Sequence, residues 1–340
     1  MNFAGIRWRT GAIVSPGPGS WTLLLAIALL GSAALAASVG AVDVSLFDAL
    51  RTAWHPELEL SPVLRDVRLP RVAAGAAVGA ALAVAGAVLQ TALRNPLADA
   101  GLVGVTAGAG LAALLAILFF PALPALVPML AFAGGLSAVS AVVALGFRHR
   151  GLRAGPLRLV LSGVAIQAVG FAGVALLSFL YADRAPSFAA FLVGSLNGLG
   201  WRDAALVTVP TVLGLGVSAL AIRPLDVLLL DDATAGGLGV SVRRARLAAA
   251  TLAAWLAAAA VSVAGLVGFV GLVVPNALRL LVGPGHRALL PASALGGAAL
   301  VLLADTAART VVAPIELPVG ALLALLGGPY FLVILWRKLP

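Results

Sequence analysis

The chain is a succession of apolar runs, each about as long as a membrane-spanning helix, separated by short stretches that contain arginine, proline or glycine. About 20 apolar residues cross a bilayer as an α-helix, whereas a transmembrane β-strand needs only about 10. Because 62% of the residues are hydrophobic and 10% are charged, a soluble core of this length could not bury them. The sequence therefore predicts an all-α, polytopic membrane helical bundle.

The runs divide into about ten candidate spans. With the N-terminus in the cytoplasm, alternation of the spans puts most of the 22 basic residues on the cytoplasmic side, as membrane proteins favour. An even number of spans leaves both termini cytoplasmic. We interpret the first run as a retained span, because it is longer than the apolar part of a signal peptide. The candidate spans are 21–40, 70–90, 101–120, 124–147, 157–181, 204–222, 246–264, 266–282, 288–308 and 317–336.

Residues suited to catalysis or metal binding are missing from the sequence. There is no cysteine, and His55, His149 and His286 are far apart along the chain. No phosphate-binding loop of the Walker type is present, so we do not expect this chain to hydrolyse ATP. The net charge of +9 is explained by arginine placement at a membrane rather than by nucleic-acid binding. We expect no enzyme activity and no cofactor or metal in this chain.

One acidic residue, Asp305, lies inside a predicted span, and Arg309 follows it by four positions. A local i,i+4 ion pair explains this acid better than a proton relay does. No other acid occupies the interior of a span, although ion-coupled carriers need polar ligands near the middle of the membrane. The sequence therefore argues against a proton- or sodium-coupled carrier.

The 223–246 segment is predicted to lie on the cytoplasmic side. It contains the apolar residues Leu225, Leu228 and Leu230, is interrupted by two aspartates and reaches a glycine-rich turn. This pattern predicts a short amphipathic helix that docks into a groove on a partner protein. A helix lying in the lipid interface is the alternative, which the aspartates disfavour because they would face anionic headgroups.

Arginines also cluster on the predicted external side, where they are unusual. Arg65, Arg68, Arg71 and Arg309 belong to this cluster. They either anchor helix ends by snorkelling or bind carboxylates on a partner. A second external loop, residues 182–203, contains a short amphipathic stretch.

Two further stretches interrupt the helical pattern. Asn95-Pro96 signals a turn, which either gates a pore or simply connects two helices. Residues 265–276 carry glycines and a proline inside an apolar run, which predicts a broken or kinked helix. The spacing of Gly75 and Gly79 predicts a close helix contact.

Together these motifs resemble the FecCD-type permeases of the iron-siderophore, haem and cobalamin ABC importers, which are type II importers. The resemblance covers roughly residues 60–335. It rests on Arg68-Leu69-Pro70-Arg71, 86–90, 94–99, Gly194-Ser195-Leu196, 235–240, 268–275, His286-Arg287, 289–291, Ala304-Asp305, Arg309 and 316–320.

The resemblance implies one permease domain, residues 1–340, in the bacterial inner membrane. It implies a second copy or a related permease as partner, two cytoplasmic ATPase subunits that bind ATP and Mg, and an external substrate-binding protein. The implied cargo is an iron chelate, with an Fe(III)-siderophore favoured over haem and cobalamin. A stand-alone secondary carrier or channel is the alternative class.

The resemblance also implies roles for individual residues. Arg68, Arg71 and Arg309 match arginines that bind the two lobes of the binding protein. Asn95 and Leu97 match the cytoplasmic gate region.

Contacts with the ATPase are implied for six residues of the 223–246 segment, and the helix break involves three residues further along the chain. Asn276 stands where the family usually has histidine. The implied ATPase-coupling residues are Leu225, Leu228, Leu230, Ala235, Leu238 and Gly239, and those of the broken helix are Gly268, Gly271 and Pro275.

Overall fold

The computed structural model describes residues 17–40, 62–147 and 156–338, and all regular structure within these ranges is helical. The all-α class is therefore confirmed. Some of the basic residues that are predicted to lie on the cytoplasmic side, namely those before residue 17 and at residues 148–153, lie outside the described residues, as do residues 41–61 between the first two spans. The α-helices are α1 (Pro18–Ser38), α2 (Leu69–Leu93), α3 (Val105–Phe119), α4 (Leu126–Phe147), α5 (Pro156–Leu180), α6 (Ala185–Val193), α7 (Trp201–Leu220), α8 (Ile222–Val227), α9 (Asp232–Gly237), α10 (Val242–Ala264), α11 (Val270–Val282), α12 (His286–Thr310) and α13 (Val319–Lys338).

Each predicted span coincides with one of these helices, displaced by a few residues at its ends. In the described ranges, 7 helices are long and apolar enough to cross a membrane. Shorter apolar stretches are α3, α11 and the Val319–Leu332 part of α13. The short helices α6, α8 and α9 lie between spans, with α6 in the predicted 182–203 loop. The chain is a multi-pass membrane protein. The number of crossings and the orientation of the termini stay predictions.

Helix α2 lies at the centre of the bundle. Residues 74–93 are almost entirely buried, and α2 packs against α7, α10, α11 and α12. Small side chains let these helices approach closely: Gly79 faces Gly297 of α12, and Gly86 faces Gly271 of α11. A Cβ at either glycine of α2 would overlap the facing backbone. The predicted close contact at Gly79 is therefore confirmed.

The predicted helix break separates α10 from α11. Gly265 follows α10 with φ 70°, and Phe269 precedes α11 with φ 67°. A Cβ at Gly265 would overlap a carbonyl of α6, so this position admits only glycine. Gly268 lies within the break, whereas Gly271 and Pro275 lie inside α11. The break therefore results from the glycines, and Pro275 acts within the helix that follows.

Candidate functional site

The C-terminal end of α2 is a tight turn that leads into the 94–99 loop. Arg94 ends the helix in the left-handed region, with φ 48°. The Asn95 side chain accepts a hydrogen bond from the backbone N–H of Leu97 at 2.9 Å, which fixes the turn. The two predicted gate residues, Asn95 and Leu97, are therefore half-buried at the end of the central helix.

Arg94 joins this turn to the 223–246 segment. Its Nε donates to the carbonyl of Leu228 at 3.2 Å, and its guanidinium also donates to the carbonyl of Leu230. The same group pairs with Asp232 at 2.8 Å, and Asp232 in turn pairs with Arg246 of α10 at 2.8 Å. Arg94 thus connects the end of α2 to the stretch between the two short helices and to α9, and Asp232 extends the connection to α10.

A buried histidine makes a second connection between the same elements. The Nδ1 of His286 lies 2.7 Å from Asp226 of α8, and the Nε2 lies 2.9 Å from the Thr91 hydroxyl of α2. The backbone N–H of His286 donates to the same Asp226 oxygen at 2.9 Å. Because a carboxylate only accepts hydrogen bonds, we assign the proton to Nδ1, which leaves Nε2 of the neutral ring to accept from Thr91.

A third connection, between α2 and α11, depends on Pro275. A proline has no backbone N–H, so the carbonyl of Gly271, four residues earlier, lacks its helical donor. The side-chain amide of Gln90 supplies that donor at 3.0 Å. The remaining Gln90 oxygen accepts from Arg279 at 3.0 Å. The helix that follows the break is therefore held to the end of α2 by a side chain that replaces a missing backbone bond.

Asn276 connects α11 to the 94–99 loop. Its amide donates to the carbonyl of Pro96 at 2.7 Å, and its oxygen accepts from Arg279 at 3.0 Å. Asn276, which stands where the family usually has histidine, therefore belongs to a network of contacts around the end of α2. We call this network the α2 hub. The hub consists of Gln90, Thr91, Arg94, Pro96, Asp226, Asp232, Gly271, Asn276, Arg279 and His286.

Only some of the predicted ATPase-coupling residues of the 223–246 segment are exposed on its surface. Leu225, Leu228 and Ala235 are buried against the bundle, whereas Leu230 and Leu238 are 41% and 61% exposed. Gly239 has nothing near its Cβ position and φ 78°. The predicted set therefore divides into residues that seat the segment and residues that a partner can reach. Leu229, which sequence analysis left out, is 40% exposed.

Asp231 starts the second short helix of the segment. Its carboxylate accepts the N–H groups of Ala233 and Thr234 at 3.1 and 2.9 Å and the Thr234 hydroxyl at 2.6 Å. The hydrogen bonds from Thr234 hold the pKa of Asp231 below its usual value. The cap is therefore ionised at neutral pH, and it is lost only as the pH falls through this lowered pKa.

The predicted docking arginines form contacts within this chain. Arg68 donates to carbonyls at the end of α1 at 2.6 and 2.7 Å, and Arg309 donates to carbonyls there at 3.1 and 3.0 Å. A cation at a helix C-terminus is favourable. Arg71 is bound to Asp305, which also forms the predicted i,i+4 ion pair with Arg309 at 3.3 Å. Binding-protein docking by these arginines stays a prediction.

A cavity of about 590 Å³ lies near this cluster, between α6, the 195–199 stretch, the end of α10 and Glu316. Backbone hydrogen bonds join the elements around it. Leu266 donates to Phe191 at 3.0 Å, and Gly320 donates to Gly194 at 3.0 Å. The end of α6, the helix break and the start of α13 therefore form one junction at the end of the bundle opposite the α2 hub.

The sequence profile of the FecCD transport family matches residues 24–337. The chain belongs to the FecCD transport family. Its relatives include the hemin transport system permease protein HmuU of Yersinia pestis, with 42% identity over 94% of this chain and 95% of the relative. They also include the Fe(3+) dicitrate transport system permease protein FecD of Escherichia coli, with 40% identity over 93% of this chain and 98% of the relative.

This FecCD permease also resembles a solved structure described as a metal-chelate type ABC transporter in an inward-facing conformation. The two share 30% identity and a TM-score of 0.83, over 94% of this chain and 99% of that chain. The family assignment made from the sequence motifs is therefore confirmed.

Arg94, Asp226 and His286 are among the hub residues of this FecCD permease that sequence analysis missed. Arg94 and His286 were noted only as parts of motifs, and Asp226 was given no role. The partners of His286 lie 60 and 195 residues away, and no local pattern indicates such pairs. The position of Arg94 directly before Asn95-Pro96 was the one available signal, because a long cation at a helix C-cap can reach neighbouring carbonyls.

Proposed function

We propose that this FecCD permease is the membrane subunit of an ABC importer that translocates an iron chelate, with an Fe(III)-siderophore as the leading cargo. The observation that carries the proposal is the α2 hub. Through Arg94 and His286, it fastens the 223–246 segment to the end of the central helix, and through Gln90 it fastens the broken helix to the same end. Movement of the segment would therefore displace the elements beside the 94–99 loop.

The proposal assigns the moving force to two ATPase subunits that bind ATP and Mg in the cytoplasm. The exposed residues Leu229, Leu230 and Leu238 form the apolar surface that an ATPase groove would receive. A second permease copy or a paralogue completes the pathway in the bacterial inner membrane, with both termini cytoplasmic. An external binding protein delivers the chelate to the face that holds Arg68 and Arg309.

Haem is the second candidate cargo, because a relative with 42% identity is a hemin transport permease. Other relatives are named for iron citrate, iron hydroxamate and cobalamin, at 40%, 38% and 41% identity.

The test is uptake of labelled Fe(III)-siderophores, haem and cobalamin by cells with and without this gene, with and without ATP depletion. We expect loss of ATP-dependent uptake of an iron–siderophore when the gene is deleted. Loss of haem uptake instead would support the second candidate. ATP-independent transport would overturn the ABC assignment and favour a stand-alone carrier or channel.

A further inference from the structure

An open groove lies on the outer surface of the bundle between α7 and α10. Its volume is about 550 Å³, and apolar side chains such as Leu213, Val217, Leu247 and Trp255 line it. Leu213 and Val217 are 58% and 52% exposed, and no other element of the described ranges covers them. Because both helices are candidate membrane spans, this surface faces lipid or another membrane protein.

Arg244, in the first turn of α10, lies at one end of the groove. It is exposed, and none of the described residues forms a hydrogen bond or an ion pair with it. The first turn of α10 contains no acidic residue, and Ser241 does not cap it through its side chain. The positive end of the helix dipole therefore adds to the arginine charge. This end of the groove is complementary to an anion.

The length of the groove matches one leaflet of a membrane. Residues 244–255 rise by about 17 Å along α10, at about 1.5 Å per residue. The hydrocarbon core of a bilayer is about 30 Å thick, so half of it measures about 15 Å. The groove thus runs from a cationic end at the membrane surface to an apolar end near the midplane. This is the distribution of charge and apolar surface in a glycerophospholipid.

We propose that the groove binds one anionic phospholipid, with its phosphate against Arg244 and an acyl chain along α7 and α10. An apolar groove alone would accept any lipid, and an exposed arginine alone would attract any anion. Their alignment selects a lipid with net negative charge over a zwitterionic one. The binding site lies on the lipid-facing surface, distinct from the α2 hub and from the cavity beside Glu316.

Native mass spectrometry of the purified full-length chain, titrated with phosphatidylglycerol or phosphatidylcholine, tests this assignment. We expect tighter binding of phosphatidylglycerol. Arg244→Gln is expected to weaken it about fivefold, because one arginine near an anionic headgroup is worth about 1 kcal/mol. Arg287→Gln is the matched control, because Arg287 is an exposed arginine at the same end of the bundle and lies outside the groove. It should leave binding unchanged.

A second variant tests the apolar half of the site. Ala248→Trp places a large side chain in the groove and retains Arg244. We expect it to reduce the binding of both lipids, and free glycerol 3-phosphate not to compete for the site. Equal affinity for the two lipids, equal loss in the two glutamine variants, or full competition by glycerol 3-phosphate would overturn the proposal. A change in oligomeric mass of the Ala248→Trp variant with lipid binding intact would also overturn the proposal, because it would identify the groove as a protein interface.

Discussion

Arg71 of α2 encloses the carboxylate of Asp305 of α12, donating from Nε and Nη2 at distances of 2.9 to 3.2 Å. Its remaining nitrogen donates to Glu316 at 3.0 Å. The Arg71 and Asp305 side chains are only 9% and 3% exposed, so the pair is largely shielded from bulk water. The pair joins two central helices to the stretch that precedes α13 and borders the cavity beside α6.

Removal of one partner of this pair is expected to be costly. Arg71→Met leaves the Asp305 carboxylate buried without a full counter-charge, and losses of this kind are about 3–5 kcal/mol of unfolding free energy. Thermal unfolding in detergent should show a large decrease in melting temperature. Arg71→Met combined with Asp305→Leu should recover part of it, because the buried carboxylate is removed while the nearly buried Arg309 loses its ion-pair partner. Arg202→Met, which alters an exposed arginine, is the control and should change little.

Gln90 and Pro275 are expected to be energetically coupled. Gln90→Leu leaves the Gly271 carbonyl without a donor, at a cost of about 1–3 kcal/mol of unfolding free energy. Pro275→Ala restores a backbone N–H to that carbonyl, so the cost of Gln90→Leu should be smaller in this background. A double-mutant cycle of unfolding measures the difference. Equal costs in both backgrounds would show that Gln90 does not substitute for the missing bond.

The helical architecture could be predicted because it depends on local signals. Apolar runs of sufficient length located each span, and the glycines of residues 265–268 located the break between α10 and α11. Membrane topology needs little more than hydropathy, since every backbone group in lipid must be satisfied within its own helix. The close approach at Gly79 was also predictable, because it needs only a small residue at the right helical spacing.

The α2 hub could not be predicted, because its contacts join residues that are distant in sequence. Arg94 meets carbonyls more than 130 residues away, and Asp226 meets His286 across 60 residues. Burial of Arg71 was missed for the same reason: an arginine at a helix start is usually exposed, and only the position of Asp305 on a neighbouring helix reverses this. Sequence motifs indicated which residues matter and left their partners unknown.

Gly79 provides a test of the packing between α2 and α12. Alanine at this position would overlap the backbone of Gly297, so we expect Gly79→Ala to destabilise the chain by about 1–3 kcal/mol. Gly216→Ala in α7 is the matched control, since its Cβ meets nothing within 4 Å. It should be neutral or slightly stabilising through helix propensity. Unfolding in detergent distinguishes the two, and equal effects would contradict the close contact.

Arg94 is expected to matter for transport more than for folding. Arg94→Ala removes the charged hydrogen bond to Leu228 and the partly exposed pair with Asp232. Because the Arg94 and Asp232 side chains are 31% and 53% exposed, their pairing contributes little to folding, so the melting temperature should change modestly. We expect uptake to fall about tenfold, which corresponds to about 1.4 kcal/mol of lost coupling between the segment and α2. Arg223→Ala alters an exposed arginine at the start of the same segment that makes none of the hub contacts, and it should leave uptake unchanged. Normal uptake by Arg94→Ala would remove the hub from the mechanism.

Leu228 and Leu238 separate the seating of the 223–246 segment from its surface. Leu228 is fully buried, so Leu228→Ala is expected to cost about 2–5 kcal/mol of unfolding free energy. Leu238 is 61% exposed, so the same substitution should leave unfolding unchanged and weaken co-purification with the ATPase. The melting temperature of each variant and the amount of ATPase that co-purifies with it test both expectations. Full ATPase binding by the double variant Leu230→Ala/Leu238→Ala would show that the exposed leucines are not the coupling surface.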